Sequence, residues 1–298
     1  MTAPQNSRQQ YRAMINSGET IWAAGAYDAL SARLIEEAGF PVIMTSGFGV
    51  AASHLGQPDA ELYTMTENLT VVRNVVGSVN IPVVADIDTG YGNAINVMRS
   101  VREFENAGVA AVILEDQEGP KRCPAAADKV AILPVVEGKA KIRAAVDART
   151  DPDLVIIART DAMTEAEAIE RGKAYAEAGA DLIQPISKCF QDADGLKRFH
   201  AAVGKPLSLQ ILGWLETDLP RDVIEDIAGM AVYPLVALMT ATNALRENLG
   251  ALRQNLSTAD LPRPVTTMGD FKKMIGFDEV ELLQSQYLLD PTMLSKVA

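Results

Sequence analysis

Residues 109–116 read VAAVILED. Six aliphatic residues run straight into two carboxylates, with no alternation that would leave one face polar. A short aliphatic run of this kind reads as a strand buried on both faces, as in a parallel sheet covered by helices. The pattern recurs on either side: IPVVADID (81–88) ends in Asp86 and Asp88, and LVIIAR (154–159) ends in Arg159. If these strands share one sheet, four carboxylates and a guanidinium meet at one rim. Like charges gathered there repel one another unless a cation sits among them, and the arginine suits the carboxylate of a ligand. The pattern points to a hard-metal site that handles a small anionic molecule.

Further outward, strand-like segments at 20–25, 41–46, 82–86, 109–115, 154–159, 181–185, 206–211 and 230–234 alternate with amphipathic stretches. Those stretches cover 27–38, 66–77, 93–106, 135–149, 164–178, 191–202, 220–228 and 236–254. A weak repeat supports the alternation. EEAGFPVIM, ENAGVAAVIL, AEAGADLIQ and EDIAGMAVYPL place Gly39, Gly108, Gly179 and Gly229 between helix and strand, where a left-handed residue turns the chain back. Such βα repetition builds a parallel sheet with helices outside. Eight units close most simply into a (β/α)8 barrel with its site at the C-terminal rim, a doubly wound open sheet being the competing arrangement. Residues 1–17 read as a polar lead-in and a short helix. Residues 255–298 read as a helical tail, with helices over 268–275 and 278–289, within a single 1–298 domain. A tail of this kind suits packing on a neighbouring subunit.

Composition narrows the partners. A net charge of −12 over 298 residues argues against nucleic acid and anionic membrane surfaces. No apolar stretch approaches the roughly 20 residues needed to span a bilayer, and the start MTAPQNSRQQ lacks a secretory pattern. With only Cys123 and Cys189, the expected setting is the cytoplasm with reduced thiols.

Asp86 and Asp88 are two apart and share a face if the strand continues through them. Magnesium usually takes one or two protein carboxylates and keeps several waters. The alternative is that one aspartate caps the helix starting near Asn93. Glu115 and Asp116 fit as water-mediated support in the same rim. Arg159, ahead of TDA (160–162), suits a bidentate clamp on a substrate carboxylate, or else an ion pair to Asp161 or Glu115. The small residues of MTSGFGV (44–50) let backbone N–H groups hold an anion, unless the segment is a plain βα turn. Cys123 lies in PKRCPAAADK (120–129), within a 117–134 connection long enough for a lid. Lys121 and Arg122 would favour its thiolate, fitting it for acid–base work; an inert exposed cysteine is the alternative. His54 could line the rim, His200 belongs to the surface, and Cys189 reads as structural.

Together, AYDALSARLIEEAGF (26–40), TSGFGVAASHLGQPD (45–59), VADIDTGYGNA (84–94), LEDQEGPKRC (114–123), IIARTDA (156–162) and YPL (233–235) resemble the isocitrate lyase and phosphoenolpyruvate mutase superfamily. The likeness covers roughly residues 8 to 250. It implies a modified (β/α)8 barrel, usually a homotetramer that exchanges a C-terminal helix between subunits. It further implies Mg2+, with Mn2+ as a substitute, bound directly by Asp86 and through waters by Asp59, Asp88 and Glu115. Thr45, Ser46, Gly47, Arg159 and Gln210 would surround the substrate, and Cys123 and Arg159 would be catalytic. The implied reaction is carbon–carbon cleavage of a 2-hydroxy di- or tricarboxylate, of methylisocitrate or dimethylmalate type. It proceeds through an enolate and gives pyruvate or glyoxylate plus a second acid. The chain departs from the lyase pattern at Pro124-Ala125 (for Gly-His), Ile186 (for Glu), Gln210 (for Asn) and GWLE (213–216) (for a Glu-Gly-Gly stretch). An oxaloacetate-type decarboxylase or hydrolase and a phosphonate mutase therefore stay open, as does a metal- and dicarboxylate-binding protein without turnover.

Overall fold

The computed structural model describes residues 6–122 and 130–288. Its strands are β1 (Ile21–Ala26), β2 (Ile43–Thr45), β3 (Val83–Asp86), β4 (Ala111–Glu115), β5 (Val155–Thr160), β6 (Leu182–Pro185), β7 (Leu207–Gln210) and β8 (Ala228–Tyr233). Each pairs in parallel with the next, and β8 pairs with β1, so the sheet is a closed (β/α)8 barrel and not an open doubly wound one. The connecting helices include Ala29–Glu37, Met65–Ser78, Ala94–Asn106, Val135–Ala148, Glu165–Glu177, Ala193–Val203 and Arg221–Ile227. Side-chain caps at Asp28, Thr64, Asn93, Thr164 and Asp192 start five of them. Gly39, Gly108 and Gly179 take φ of 88°, 94° and 104° and turn helix into strand as expected. Gly229 does not. The helix before it runs directly into β8, and Gly229 lies within that strand, where an added Cβ would stand 3.1 Å from Pro206 Cβ. Close packing, not a turn, calls for glycine there.

The two faces of each strand have different partners. Outward residues such as Val112, Leu114, Ile156, Ala158 and Ile183 pack on the helices. Inward residues Met44, Val84, Ile113, Ile157, Leu182 and Met230 fill the barrel. Tyr11, from the helix Ser7–Asn16, joins this inner cluster fully buried, with its hydroxyl donating to Met230 Sδ. That helix closes the N-terminal end of the barrel. Stepping two residues on from inward Val84, Ile113, Ile157 and Leu182 gives Asp86, Glu115, Arg159 and Gln184, so these four adjacent columns end in a polar group at the C-terminal mouth.

The chain divides into two compact units, Met1–Thr240 and Ala241–Ala298. Within the second, Arg263 pairs with Glu247 at 2.7 Å, and Asn248 bonds the Arg263 backbone. Its helices Met268–Met274 and Phe277–Tyr287 carry no buried residue, leaving Met268, Leu282, Leu283 and Tyr287 in the open. Among the described residues no helix is long and apolar enough to cross a membrane.

Candidate active site

The mouth of the barrel holds a buried acidic cluster. Asp86 ends β3, and the chain then turns through Asp88 at φ 49°. The pair therefore converges through a tight turn and not through strand alternation, with the Asp88 N–H donating to Asp86 Oδ1 at 3.1 Å. Neither aspartate caps the next helix, because Asn93 does so itself. Tyr63 donates its hydroxyl to Asp88 Oδ2. Glu115 comes inward from β4 and Asp59 from the loop after β2. The Lys121 ammonium sits among them, 2.7 Å from Asp59 and 3.6 Å from Glu115 and bonded to Asp88. Arg159 closes the far side, 2.8 Å from Glu115 and 2.6 Å from Asp161. Both ion pairs weighed for Arg159 are present, and its Nε has no hydrogen-bond partner.

Five carboxylates (Asp59, Asp86, Asp88, Glu115, Asp161) thus face two cations. Burial, reinforced by the Asp88 charge, raises Asp86 to about 6 although Lys121 and Arg159 pull it back. Burial raises Glu115 to about 8 against the opposing pull of the same two cations. Burial works against the Lys121 charge too, but Glu115, Asp88 and Asp59 more than offset it and hold the ammonium well above its usual value.

These residues fit a hydrated divalent cation. Asp59 Oδ1 and both Glu115 oxygens are buried and accept no well-aligned hydrogen bond. A cation, the Lys121 ammonium, already lies among the carboxylates. Among the described residues no group of three or more His, Cys, Asp or Glu is set to grip one ion directly. Gly47 keeps the space clear: a Cβ there would stand 2.9 Å from the Tyr63 hydroxyl and 3.0 Å from Asp86 Oδ2.

The other candidates are placed as follows. Thr45 Oγ1 accepts from the Asp86 N–H, and the Gly47 N–H donates to Asp86 Oδ2, both at 3.3 Å. The Ser46 hydroxyl caps the short helix Gly47–Val50, while its N–H extends the ladder to Ala26. Asp116 points outward, away from the cluster, and accepts from the Asp161 N–H, Tyr175 and Arg171. His54 is exposed and borders a separate surface hollow with Tyr27 and Asn74. Cys189 is buried, and burial pushes its thiol up to about 12, as suits a structural role. Cys123, Pro124 and Ala125, with the centre of the expected lid, lie outside the described residues.

Beside Arg159 opens a cavity of about 200 Å3, bordered among the described residues by Asp161, Gln184, Ile186, Lys188, Gln210 and Leu212. The mouth therefore has two halves, an acidic one on β2 to β4 and a cavity on β5 to β7, joined by Arg159. Sequence reasoning missed three contributors. Lys121 was read only as a neighbour of the thiol. Gln184 was legible by stepping two residues from inward Leu182. No local pattern marks Tyr63.

A parallel (β/α)8 barrel with a buried acidic cluster and an arginine-flanked cavity at its C-terminal mouth defines an enzyme of small anionic substrates. The family model described as phosphoenolpyruvate phosphomutase matches residues 11–256, and the chain belongs to that family, within the phosphoenolpyruvate mutase and isocitrate lyase superfamily. It is 38% identical to the 2,3-dimethylmalate lyase of Eubacterium barkeri over 287 residues, 95% of this chain and 98% of the relative. It is 34% identical to the 2-methylisocitrate lyase of Shewanella oneidensis over 292 residues, 95% and 99% of the two chains. Among solved structures it resembles phosphonopyruvate hydrolase in complex with oxalate and Mg2+, with a TM-score of 0.86 and 32% identity over 96% of this chain and all of that one.

Proposed function

We propose that this protein is a Mg2+-dependent carbon–carbon lyase of 2-hydroxy di- or tricarboxylates, of dimethylmalate or methylisocitrate type, releasing pyruvate or glyoxylate plus a second acid. The observation that carries the reading is the excess of buried carboxylate beside an arginine-flanked cavity, in a chain 38% identical to a dimethylmalate lyase. Asp86 would hold the ion directly, with Asp59, Asp88 and Glu115 orienting its waters; Mn2+ would substitute. When bound, the ion supplies Lewis-acid stabilisation of negative charge on the α-oxygen of the substrate.

The chain's own groups do the rest. Gly47 admits the substrate's α-oxygenated end close to Asp86, and Ser46 and Thr45 fix the turn that carries it. Arg159, locked by Glu115 and Asp161, presents its free Nε edge to a carboxylate. Gln210 borders the space for the departing fragment. Cys123 would protonate that fragment as the bond breaks. Lys121 offsets part of the acidic charge of the cluster. The cytoplasmic setting, the single 1–298 domain and the helix-swapped homotetramer belong to the same reading.

Parallel assays of 2,3-dimethylmalate, methylisocitrate, oxaloacetate and phosphonopyruvate for pyruvate release test it, with oxalate release measured as well for oxaloacetate and phosphorus NMR for a mutase. The expected result is release from a methyl-substituted 2-hydroxy acid, lost in Cys123→Ser with Mg2+ binding kept. A near-native rate in C123S would remove the thiol from the mechanism. A hydrolytic second reading is favoured by Ile186, which replaces a carboxylate in the cavity wall, and it predicts turnover of oxaloacetate or phosphonopyruvate instead. Ligand-induced thermal shifts with no product from any compound would mark a binding protein.

A further inference from the structure

Gln184 is a buried polar residue that the acidic half of the site leaves unexplained. It stands on β6 in register with Arg159 on β5, which in turn is in register with Glu115 on β4, so all three enter the barrel from adjacent strands. Its side chain is 1% exposed. The amide is held by Ser208, which lies on β7 and donates its hydroxyl to Gln184 Oε1 at 2.8 Å. That bond leaves Nε2, with two N–H donors, and Nε2 has no hydrogen-bond partner. Arg159 Nε, on the neighbouring strand, is likewise unpartnered. Both residues border the same cavity.

A buried amide donor without a partner costs free energy that a leucine in the same place would avoid, since the barrel beneath is apolar at Leu182. Such a group is explained when a ligand supplies the acceptor. The facing surface is mixed in a way that narrows the ligand. Ile186 and Leu212 give an apolar wall, and exposed Lys188 adds a positive charge at the rim. The one carboxylate among the described border residues, Asp161, is paired with Arg159 through Oδ1, while its Oδ2 has no hydrogen-bond partner. Donors, a cation and an alkyl-sized apolar wall together select a carboxylate carried on an alkyl-substituted carbon.

We propose that Gln184 is a specificity-determining residue whose Nε2 binds a carboxylate on the part of the substrate that lies away from the acidic cluster, with alkyl substituents packed on Ile186 and Leu212. The proposal rests on the reading that the α-oxygenated end of the substrate faces the cluster, and it names what the other end must carry. A monoacid or a ligand ending in a hydroxyl would leave the donors unmatched.

The test uses the full-length protein loaded with Mg2+. Gln184→Leu and Gln184→Glu are compared with wild type, all carrying Cys123→Ser so that no ligand is turned over, by calorimetric titration of oxalate, which reaches only the α-oxygenated end, and of 2,3-dimethylmalate and methylisocitrate, which reach further. Oxalate affinity is expected to stay within twofold in both variants. Affinity for the best diacid should fall at least tenfold in Q184L and further in Q184E, where carboxylate meets carboxylate. Should Q184L fold poorly, Ser208→Ala releases the amide from its fixed orientation and should weaken diacid binding while sparing oxalate. Diacid affinity within twofold of wild type in Q184L or in S208A overturns the proposal. So does diacid binding retained in Q184E, which would make residue 184 an acceptor. A wild-type protein that binds neither oxalate nor any diacid overturns this assignment together with the functional reading. Variants that bind like a binding-competent wild type overturn this assignment alone.

Discussion

At Gly47 a methyl group would press on the Tyr63 hydroxyl and on the carboxylates of Asp86 and Asp88, within 2.9 to 3.2 Å. None of these can retreat easily, because Tyr63 and Asp88 hold each other and Asp86 accepts the Gly47 N–H. Gly47→Ala is therefore expected to cost about 1–3 kcal/mol of stability, the usual range for overpacking. It should also weaken Mg2+ binding at least tenfold, measured by denaturation and by calorimetric titration. The raised acidities give a second prediction. Asp86 at about 6 and Glu115 at about 8 bind protons more tightly in the folded chain than in the unfolded one. Their contribution to metal-free stability is present below the ordinary carboxylate range near pH 4 and is lost as pH rises toward 8. A divalent ion competes with those protons, so the rise in Tm on adding Mg2+ should be larger at pH 8 than at pH 5.5. A shift independent of pH would separate the ion from these two carboxylates.

Among the elements, the strands position the site and the N-terminal helix plugs the opposite end. Tyr11 is fully buried in the inner cluster, far along the barrel from the acidic mouth. Tyr11→Ala should cost about 3–5 kcal/mol in chemical denaturation, as large-to-small changes of buried aromatics do. Mg2+ affinity at saturating fold should change less than twofold. The strands were the most legible part of the sequence, because an aliphatic run that ends in charge has one economical reading. Asp86, Glu115 and Arg159 followed from it directly. What the sequence hid lies off the strands or depends on three-dimensional pairing. Lys121 folds back from the loop after β4 and Tyr63 arrives from the loop before the helix Met65–Ser78, whereas Asp88, expected in the cluster, reaches it by a left-handed turn and not by strand alternation. Gly229 was misread because glycine serves turns and tight packing alike, and a single sequence does not distinguish them.

For the molecule as a whole, the barrel and the Ala241–Ala298 unit pose different questions. The barrel buries its apolar residues on both sides of the sheet. In the second unit the helices leave Leu282, Leu283 and Tyr287 between 45% and 71% exposed. Apolar surface of this kind suits the proposed exchange of a helical tail between subunits. Light scattering should give a mass about four times the 32.0 kDa chain, and Leu282→Glu with Leu283→Glu should lower it. A monomer at micromolar concentration would remove the helix-swapped assembly from the account. The charge pattern also acts at this scale: a chain of net charge −12 attracts an anionic substrate only through a local cation, so activity should depend on the ion more steeply than the fold does. The direct measurement is pyruvate or glyoxylate release from 2,3-dimethylmalate and methylisocitrate by protein stripped with a chelator, before and after Mg2+ is restored. Release that vanishes on stripping and returns with Mg2+ is the predicted result; turnover that survives complete removal of divalent ions would contradict the account.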